Sequence, residues 1–227
     1  MSLKNNQLKQ FKNHLLEWLE KLTSTIQLWI LILGLIIFLI VMCCFNIYSF
    51  LAVNSPIKAD LLIVEGWMSD YAVKSAIAEF NRGAYQKLIT TGTPIGKGFY
   101  LSEYDNFAEL TAATLMIWGV DPERVVAVPT PQVTKYRTTA SATAVKEWLE
   151  TSNLKVSSIN IYSLGPHARR SWMIYRNVFS PDIQVGVIAL EPKGYNPQKW
   201  WHSSEGMRTV IGEAIAYFYT RFVDWKS

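Results

Sequence analysis

The stretch Ser158–Phe179, SINIYSLGPHARRSWMIYRNVF, contains the unit from which the fold of this chain is built. Its first six residues are rich in β-branched and aromatic side chains and predict a buried strand. Gly165-Pro166 then predicts a helix start, because proline fixes φ at a position whose N–H is not needed. His167–Phe179 follows as a helix. A strand followed directly by a helix is the repeating unit of α/β sheets.

The same alternation extends in both directions along the chain. Four more strands are predicted, at Ala59–Glu65, Lys87–Thr91, Arg124–Val128 and Ile183–Leu190. Helices are predicted between them and at the end, at Asp70–Arg82, Ser102–Trp118, Thr139–Glu150 and about Ser204–Phe222, with Gly83 and Gly119 as C-terminal stops. Mostly apolar strands that alternate with single helices indicate a parallel sheet covered on both faces. The predicted fold is α/β, a doubly wound, mostly parallel, Rossmann-like three-layer sandwich.

An unbroken apolar run, LWILILGLIIFLIVMCCF at Leu28–Phe45, precedes this domain. At about 1.5 Å per helical residue it covers roughly 27 Å, and its apolar flanks extend it past a bilayer core of about 30 Å. We therefore predict one transmembrane helix over residues 26–53. A cleaved signal peptide fits less well, because it has a shorter apolar stretch and a small-residue cleavage site that Ser49–Ser55 matches poorly. A buried core helix and a membrane hairpin fit no better.

The lysines on either side of this run predict its orientation. Four precede it and only Lys58 follows closely, so the positive-inside rule leaves residues 1–25 in the cytoplasm and exports the domain at residues 59–227, after a linker at residues 54–58. The predicted location is the inner membrane, with a periplasmic or extracytoplasmic domain. In the head, an apolar stripe predicts a helix that lies on the membrane or pairs with a partner span; the plainer alternative is that it continues the anchor. The stripe comprises Leu8, Phe11, Leu15, Trp18 and Leu22.

Composition excludes several classes of function. The net charge is +4, but residues 26–227 carry 18 basic and 16 acidic groups, so nucleic acid is not an expected partner. Both cysteines, Cys43 and Cys44, lie in the apolar run, which removes thiol catalysis and thiolate metal sites from the domain. The three histidines, His14, His167 and His202, form no pair at ligand spacing, and we predict neither a metal site nor a cofactor.

The sharpest functional signal lies where the quoted strand meets its helix. Arg169 and Arg170 stand in the first helical turn, where cations oppose the helix dipole. Such a breach of a local rule is expected mostly at functional sites. Together with free N–H groups and Ser171, the two guanidiniums predict a pocket for phosphate or carboxylate, with His167 as its acid or base. In the alternative interpretation, the arginines point to opposite sides and pair with surface carboxylates, while His167 only caps the helix.

Other candidates follow the remaining strands, because ligands of such sheets bind outside the carboxyl ends of the strands. Glu65 ends a buried strand, where an acidic group needs a partner. It is therefore a second acid/base candidate. The alternative is that it forms a structural salt bridge. Ser102 and Asp105 predict a capping box that leaves Glu103 beside a helix start. The further ligand-binding candidates are Gly66, Thr91, Gly92, Arg137, Thr139 and Ser141.

Four segments in order carry a resemblance to a known family. They are ADLLIVEGW (59–67), SEYDNFAELTAATLMIWGVD (102–121), YRTTASATAVKEWL (136–149) and SLGPHARRSWMIY (163–175). In this order and spacing, the chain resembles the YdcF-like family over about residues 59–222. The resemblance implies a Rossmann-like fold, attachment through one N-terminal span, and a link to cell-envelope and lipid-linked polysaccharide biogenesis. It supplies no reaction, and the S-adenosylmethionine binding attributed within the family is not carried over to an exported domain.

The expected function is that of a membrane-anchored envelope protein whose domain binds a small phosphorylated glycan or lipid-linked intermediate, with processing of that ligand left open. One alternative is a non-catalytic regulatory or scaffold protein that recruits an envelope synthase and other membrane proteins. A second is a cytosol-facing enzyme that binds a nucleotide or S-adenosylmethionine. The lipid bilayer, through one span, is an expected partner in all three.

Overall fold

The computed structural model describes residues 2–96 and 102–223. It divides into two compact units, Met1–Asn46 and Ile47–Ser227. The first unit is helical, and its helix, α1, runs over Ser2–Leu51. Within α1, Thr25–Leu51 is long and apolar enough to cross a bilayer, which is consistent with single-pass anchoring. The backbone of the head is helical, but of the predicted stripe only the side chain of Trp18 lies within the described part.

The second unit is an α/β domain, as predicted. Its strands are β1 Leu61–Glu65, β2 Lys87–Gly92, β3 Val125–Pro129, β4 Ser158–Leu164 and β5 Gln184–Leu190. Its helices are α2 Asp70–Arg82, α3 Phe107–Ile117, α4 Arg137–Thr151, α5 His167–Phe179 and α6 Ser204–Phe222, with short 3-10 helices at Pro122–Arg124 and Pro197–His202. All neighbouring strands pair in parallel, in the order β3-β2-β1-β4-β5. This is a doubly wound Rossmann-like sheet.

The helices cover the sheet on both faces because alternate strand residues point to opposite sides. Leu62, Val64 and Leu88 pack with α2 and α3 in one apolar core, while Ile63 and Ile161 pack with α4 and α5 in the other. Because β1 is buried on both faces, its residues are apolar without a break from Leu61 to Val64. Three layers result, with the sheet in the middle.

One predicted boundary is wrong. The helix expected from Ser102 begins only at Phe107, because Asn106 is its N-cap and accepts a hydrogen bond from the Glu109 N–H at 2.9 Å. The Ser102 hydroxyl instead accepts from the Tyr104 N–H at 3.1 Å, within the preceding loop. The predicted capping box therefore does not exist.

The segment expected to be a linker is docked onto the domain. Ser55 exchanges backbone hydrogen bonds with Val187 of β5, at 2.8 and 3.1 Å. Ile57 is held on both its N–H and its carbonyl by the side-chain amide of Asn160. Because Leu51 is also fully buried, the folded unit begins in the last turn of α1.

Candidate functional site

The topological switch point of the sheet lies between β1 and β4, where the strand order reverses and ligands of such folds bind. Glu65 is the last residue of β1. After β4 the chain turns through Gly165, whose φ of +48° lies in the region that favours glycine, and enters α5 at once. This tight turn brings the first turn of α5 over the end of β1. His167 and Ser171 thereby come into contact with Glu65.

Glu65 is buried and fully partnered. Its carboxylate accepts hydrogen bonds from the Ser171 hydroxyl, at 2.7 Å, and from the Ser163 hydroxyl. His167 Nε2 lies 3.4 Å from its Oε1. Burial acts to raise the pKa of Glu65, but the charge of His167 and these hydrogen bonds outweigh it and leave the pKa below its usual value. Glu65 is therefore a carboxylate at neutral pH.

His167 lies between two carboxylates. Its Nδ1 is 2.9 Å from Glu213 Oε1, and the edge of Trp67 packs against its ring with centroids 5.0 Å apart. Burial lowers the pKa of His167, but the charge of Glu65 and the hydrogen bond to Glu213 raise it to about 9. The ring is thus an imidazolium at neutral pH, with a carboxylate on each side.

Arg170 completes the group. Its Nε and Nη2 donate to the two oxygens of Glu213, at 2.9 and 3.1 Å, and its Nη1 donates to the Thr138 hydroxyl at 3.3 Å. Burial raises the pKa of Glu213, but His167 and Arg170 together lower it to about 2. We call Glu65, His167, Arg170 and Glu213 the switch-point cluster. Its two negative and two positive charges balance.

The cluster is closed as it stands. Both nitrogens of His167 and three donors of Arg170 are engaged, and every carboxylate has a charged partner. A general acid or base needs a nitrogen or oxygen within hydrogen-bond reach of the substrate, so His167 would have to release a carboxylate first. Catalytic roles for His167 and Glu65 stay predictions. Among the described residues, no group of three His, Cys, Asp or Glu side chains is arranged to hold a metal ion.

Arg169 leaves the switch point in another direction from its neighbour. Its Nε donates to the carbonyl of Phe50, and its guanidinium lies 4.0 Å from the centroid of the Phe50 ring. Residues adjacent on a helix are rotated by about 100° about its axis, which separates the two side chains. The structure therefore does not bring the two arginines into one anion pocket. Their divergence, and the pairing of Arg170 with a carboxylate, follow the alternative interpretation.

A cleft of about 690 Å³ lies on the Arg169 side of α5. We call it the arginine cleft, because three of the described residues in its walls are arginines and none of those described is acidic. Arg176 lies over the ring of Trp172, with its guanidinium 4.9 Å from the ring centroid. The lining residues are Ile57, Arg169, Trp172, Met173, Arg176, Asn177, Ser180, Pro181, Ile183, Gln184, Val185, Tyr217 and Arg221. The cleft thus combines arginine side chains with apolar and aromatic walls.

The hydroxyl candidates form a separate, internal chain. The Thr91 and Thr130 hydroxyl oxygens are 3.2 Å apart, and those of Thr130 and Ser141 are 2.8 Å apart. Thr91 and Thr130 are buried, so the chain links the ends of β2 and β3 to α4. Arg137 is exposed and Thr139 half-buried in the first turn of α4, apart from this chain.

The glycine candidates have a packing role. A Cβ on Gly66 would lie 2.6 Å from the Phe107 carbonyl oxygen, and one on Gly92 would lie 2.6 Å from the Phe107 Cβ. The strand ends thus approach the start of α3 too closely for a side chain. Glu103 is exposed in the loop before α3, away from the cap at Asn106.

Sequence reasoning missed five residues of these arrangements: Glu213 and Ser163 of the switch-point cluster and its contacts, Thr130 of the hydroxyl chain, and Arg176 and Arg221 of the cleft. A signal existed for two of them. Glu213 stands alone in the apolar stretch VIGEAIAYF of the last helix, and Arg176 follows Arg169 at the heptad spacing that shares a helix face. Their partners could not be identified, since these contacts join elements distant in sequence.

Comparisons with known proteins assign no family to the chain. No protein-family model matches it, and no curated protein matches it significantly. The resemblance to the YdcF-like family therefore stays a prediction that depends on the four quoted segments.

Proposed function

We propose that this chain is a membrane-anchored cell-envelope protein whose exported domain binds a phosphorylated, lipid-linked intermediate of envelope polysaccharide biogenesis. The observation that carries the proposal is the arginine cleft, in whose lining Arg169 and Arg176 share one face of α5 and none of the described residues is acidic. Arginines placed in this way attract a ligand that brings its own negative charge.

The chemistry of the cleft favours a phosphate that carries both a polar and an apolar group. Guanidinium forks match phosphate oxygens, and the Asn177, Ser180 and Gln184 side chains add neutral polar groups for a sugar. Trp172 and Met173 supply apolar surface for a lipid chain or a sugar face. The volume of about 690 Å³ lies within the range of small-molecule sites, about 300–1,000 Å³.

The position of Arg169 supports a lipid-linked ligand over a freely diffusing one. Arg169 contacts Phe50, which lies in the last turn of the helix that is apolar enough to span a membrane. An arginine that touches the end of a span is close to the depth of lipid phosphates. The lysines before the span favour export of the domain, so the phosphates concerned belong to the outer leaflet of the inner membrane.

Binding without turnover is the second candidate, and the closed switch-point cluster favours it. His167 and Glu65 have no unengaged atom for proton transfer, and Arg170 is neutralised by Glu213. In this version the chain presents its ligand to, or recruits, an envelope synthase. Helix α5 would then carry the charge-balanced switch-point cluster at its first turn and the arginine cleft along one of its faces.

A lipid-binding measurement tests the proposal. We expect the full-length protein in detergent to retain a polyprenyl phosphate in native mass spectrometry and to retain the matching unphosphorylated polyprenol poorly. The double variant Arg176→Ala/Arg221→Ala should weaken retention about tenfold or more, because each hydrogen bond between charged partners contributes about 1.5–3 kcal/mol.

Arg82→Ala is the matched control, because Arg82 is a largely exposed arginine that pairs with Glu79 outside the cleft. It should bind as the unaltered chain does. Equal retention of phosphate and alcohol, or unchanged binding by the double variant, would contradict the proposal.

Export and scaffolding are tested separately. A phosphatase reporter that is active only outside the cytoplasm is fused after Ser227, and we expect it to be active. An inactive but expressed fusion supports the cytosol-facing alternative.

For scaffolding, residues 1–46 are replaced by an unrelated span of the same orientation, because residues from Ile47 onward belong to the folded domain. Loss of a co-purifying synthase with retained lipid binding would assign recruitment to the head and span.

A further inference from the structure

Helix α6 presents a row of large apolar side chains to solvent. Ile215 is 65% exposed and Phe222 is 74% exposed, on a helix that has only two acidic residues, Glu205 and Glu213. The row comprises Met207, Ile211, Ile215, Phe218 and Phe222. We call these five residues the α6 stripe.

The stripe is a separate face of the helix, distinct from the one that packs on the domain. Gly206 and Val210 are buried and Glu213 pairs with His167 and Arg170, so these positions face inward. At about 100° per residue, the stripe residues fall on one arc roughly 90° to 170° away from this inward face. An apolar arc of this width on an exposed helix is typical of helices at a membrane surface.

Ring contacts connect the stripe to the end of the apolar span. Phe222 stacks on Phe218 with ring centroids 6.2 Å apart, and Phe218 stacks on Phe50 with centroids 6.4 Å apart. Tyr217 meets Phe50 edge-on at 5.4 Å. Phe50 lies in the last turn of the candidate span, Thr25–Leu51. If that helix spans the bilayer, Phe50 lies at its surface, and the stacked rings continue from there along α6.

We propose that α6 lies in the interfacial region of the bilayer, with the α6 stripe buried among the lipid tails near the headgroups. Exposed Arg208 and Arg221 lie on either flank of the stripe, where arginines reach lipid phosphates while their stems stay in apolar surroundings. In this arrangement α6 is a second attachment of the domain to the membrane, in addition to the span. The inference rests on membrane anchoring, which is part of the proposed function, and does not require ligand binding.

This arrangement gives the arginine cleft a defined position. Tyr217 and Arg221 of α6 line the cleft, so a helix lying in the interface brings the cleft to the level of the headgroups. A lipid-linked phosphate would enter from the membrane without leaving it.

The experiment measures depth in the bilayer with spin labels on the full-length chain. In a Cys43→Ser/Cys44→Ser background, single cysteines are placed by Leu35→Cys, Ile215→Cys and Ile117→Cys. Leu35 lies in the apolar run, and Ile117, 81% exposed at the end of α3, lies on the opposite face of the sheet from α5. The labelled proteins are reconstituted in vesicles of phosphatidylcholine and phosphatidylglycerol, and collisions with oxygen and with a water-soluble nickel complex are compared.

We expect the label at Leu35 to be deep, the label at Ile215 to lie in the interface, and the label at Ile117 to be in water. Ile211→Glu should move the Ile215 label toward water, whereas Gly212→Glu, on another exposed side of α6, should not. An Ile215 label as hydrated as that at Ile117 overturns the inference. The inference is also overturned if neither oxygen nor the nickel complex reaches the Ile215 label and its spectrum shows spin–spin broadening. That pattern would indicate that a second copy of the chain covers the stripe. A hydrated Leu35 label would instead refute the anchor itself, so the two failures are distinguishable.

Discussion

Arg169 and Arg170 are neighbours on α5, yet they enter two different electrostatic environments. Arg170 joins the switch-point cluster, where two carboxylates and an imidazolium leave no net charge. Arg169 turns toward Phe50 and the arginine cleft, where none of the described lining residues is acidic. The same residue type, one position apart on the helix, thus pairs with a carboxylate in one place and with a backbone carbonyl and an aromatic ring in the other. We expect a large effect on stability from the first arginine and a small one from the second.

The largest expected effect separates the two arginines by stability. Arg170→Met should lower the free energy of unfolding by about 3–5 kcal/mol, because it leaves Glu213 partly buried without its guanidinium. Arg169→Met, the matched change on the cleft side, should cost about 1 kcal/mol, because half-buried Arg169 loses a hydrogen bond to a backbone carbonyl and leaves no carboxylate behind it. Thermal and denaturant unfolding of the full-length protein in one detergent checks both. Equal losses in the two variants would mean that the distinction between the environments is wrong.

A second prediction concerns pH. The pKa of His167 is raised from 6.5 to about 9, so the folded state holds a proton that the unfolded state loses between these values. The resulting stabilisation is complete below about pH 6.5 and disappears as the pH rises through about 9. At about 1.4 kcal/mol per pKa unit, the loss is on the order of 3 kcal/mol. The carboxylates, whose pKa values are lowered, stay ionised in both states across this window and add no slope.

The measurement is a series of unfolding transitions from pH 6 to pH 9. The control is His167→Gln, which removes the titrating group and should leave a nearly flat profile over the same range, at lower overall stability. A slope that persists unchanged in this variant would assign the pH dependence to other groups.

A third prediction tests whether Gly66 is needed for close packing against α3 or for the approach of a ligand to the strand ends. Gly66→Ala should destabilise by about 1–3 kcal/mol, because its Cβ would meet the backbone of Phe107 at 2.6 Å in a packed core. Gly212→Ala is the control: nothing lies within 4 Å of its Cβ, and it stands inside α6, so it should stabilise by roughly 0.5–1 kcal/mol. Neither change should alter phosphate-lipid binding. Loss of binding in a folded Gly66→Ala variant would instead place the ligand at the strand ends.

The fold could be predicted because its signals are local. Asp70–Arg82, His167–Phe179 and Ser204–Phe222 are predicted with the bounds that the structure gives, and each strand within two residues at either end. Apolar periodicity and the glycine stops determine these elements without long-range information. The start of α3 was misplaced because Ser102, Asp105 and Asn106 are all good N-caps, and only the loop geometry selects Asn106.

The site could be predicted only in part, because its contacts are not local. Glu65 and His167 could be identified because Glu65 ends β1 and His167 follows β4, and these parallel strands end at the same edge of the sheet. Glu213 lies 46 residues beyond His167, and no pattern in the sequence specifies how α6 packs on α5. Without Glu213, the positive charge in the first turn of α5 looked uncompensated, which is why Arg170 was assigned to an anion pocket. Once Glu213 is in place, Arg170 has its carboxylate partner, and Arg169 contacts Phe50 instead.

The smallest expected effect tests what the arginine cleft recognises. Arg176→Lys keeps the positive charge but loses the planar fork that donates two parallel hydrogen bonds to a phosphate, and it loses the flat contact with Trp172. We expect polyprenyl phosphate retention to fall about three- to fivefold, which is less than for Arg176→Ala and corresponds to about 1 kcal/mol. Arg82→Lys should have no effect. Full retention by Arg176→Lys would mean that the cleft attracts its ligand through charge alone, as a general attractor of anionic lipids. A loss equal to that of Arg176→Ala would mean that the guanidinium geometry selects the ligand, because a lysine at the same place restores nothing.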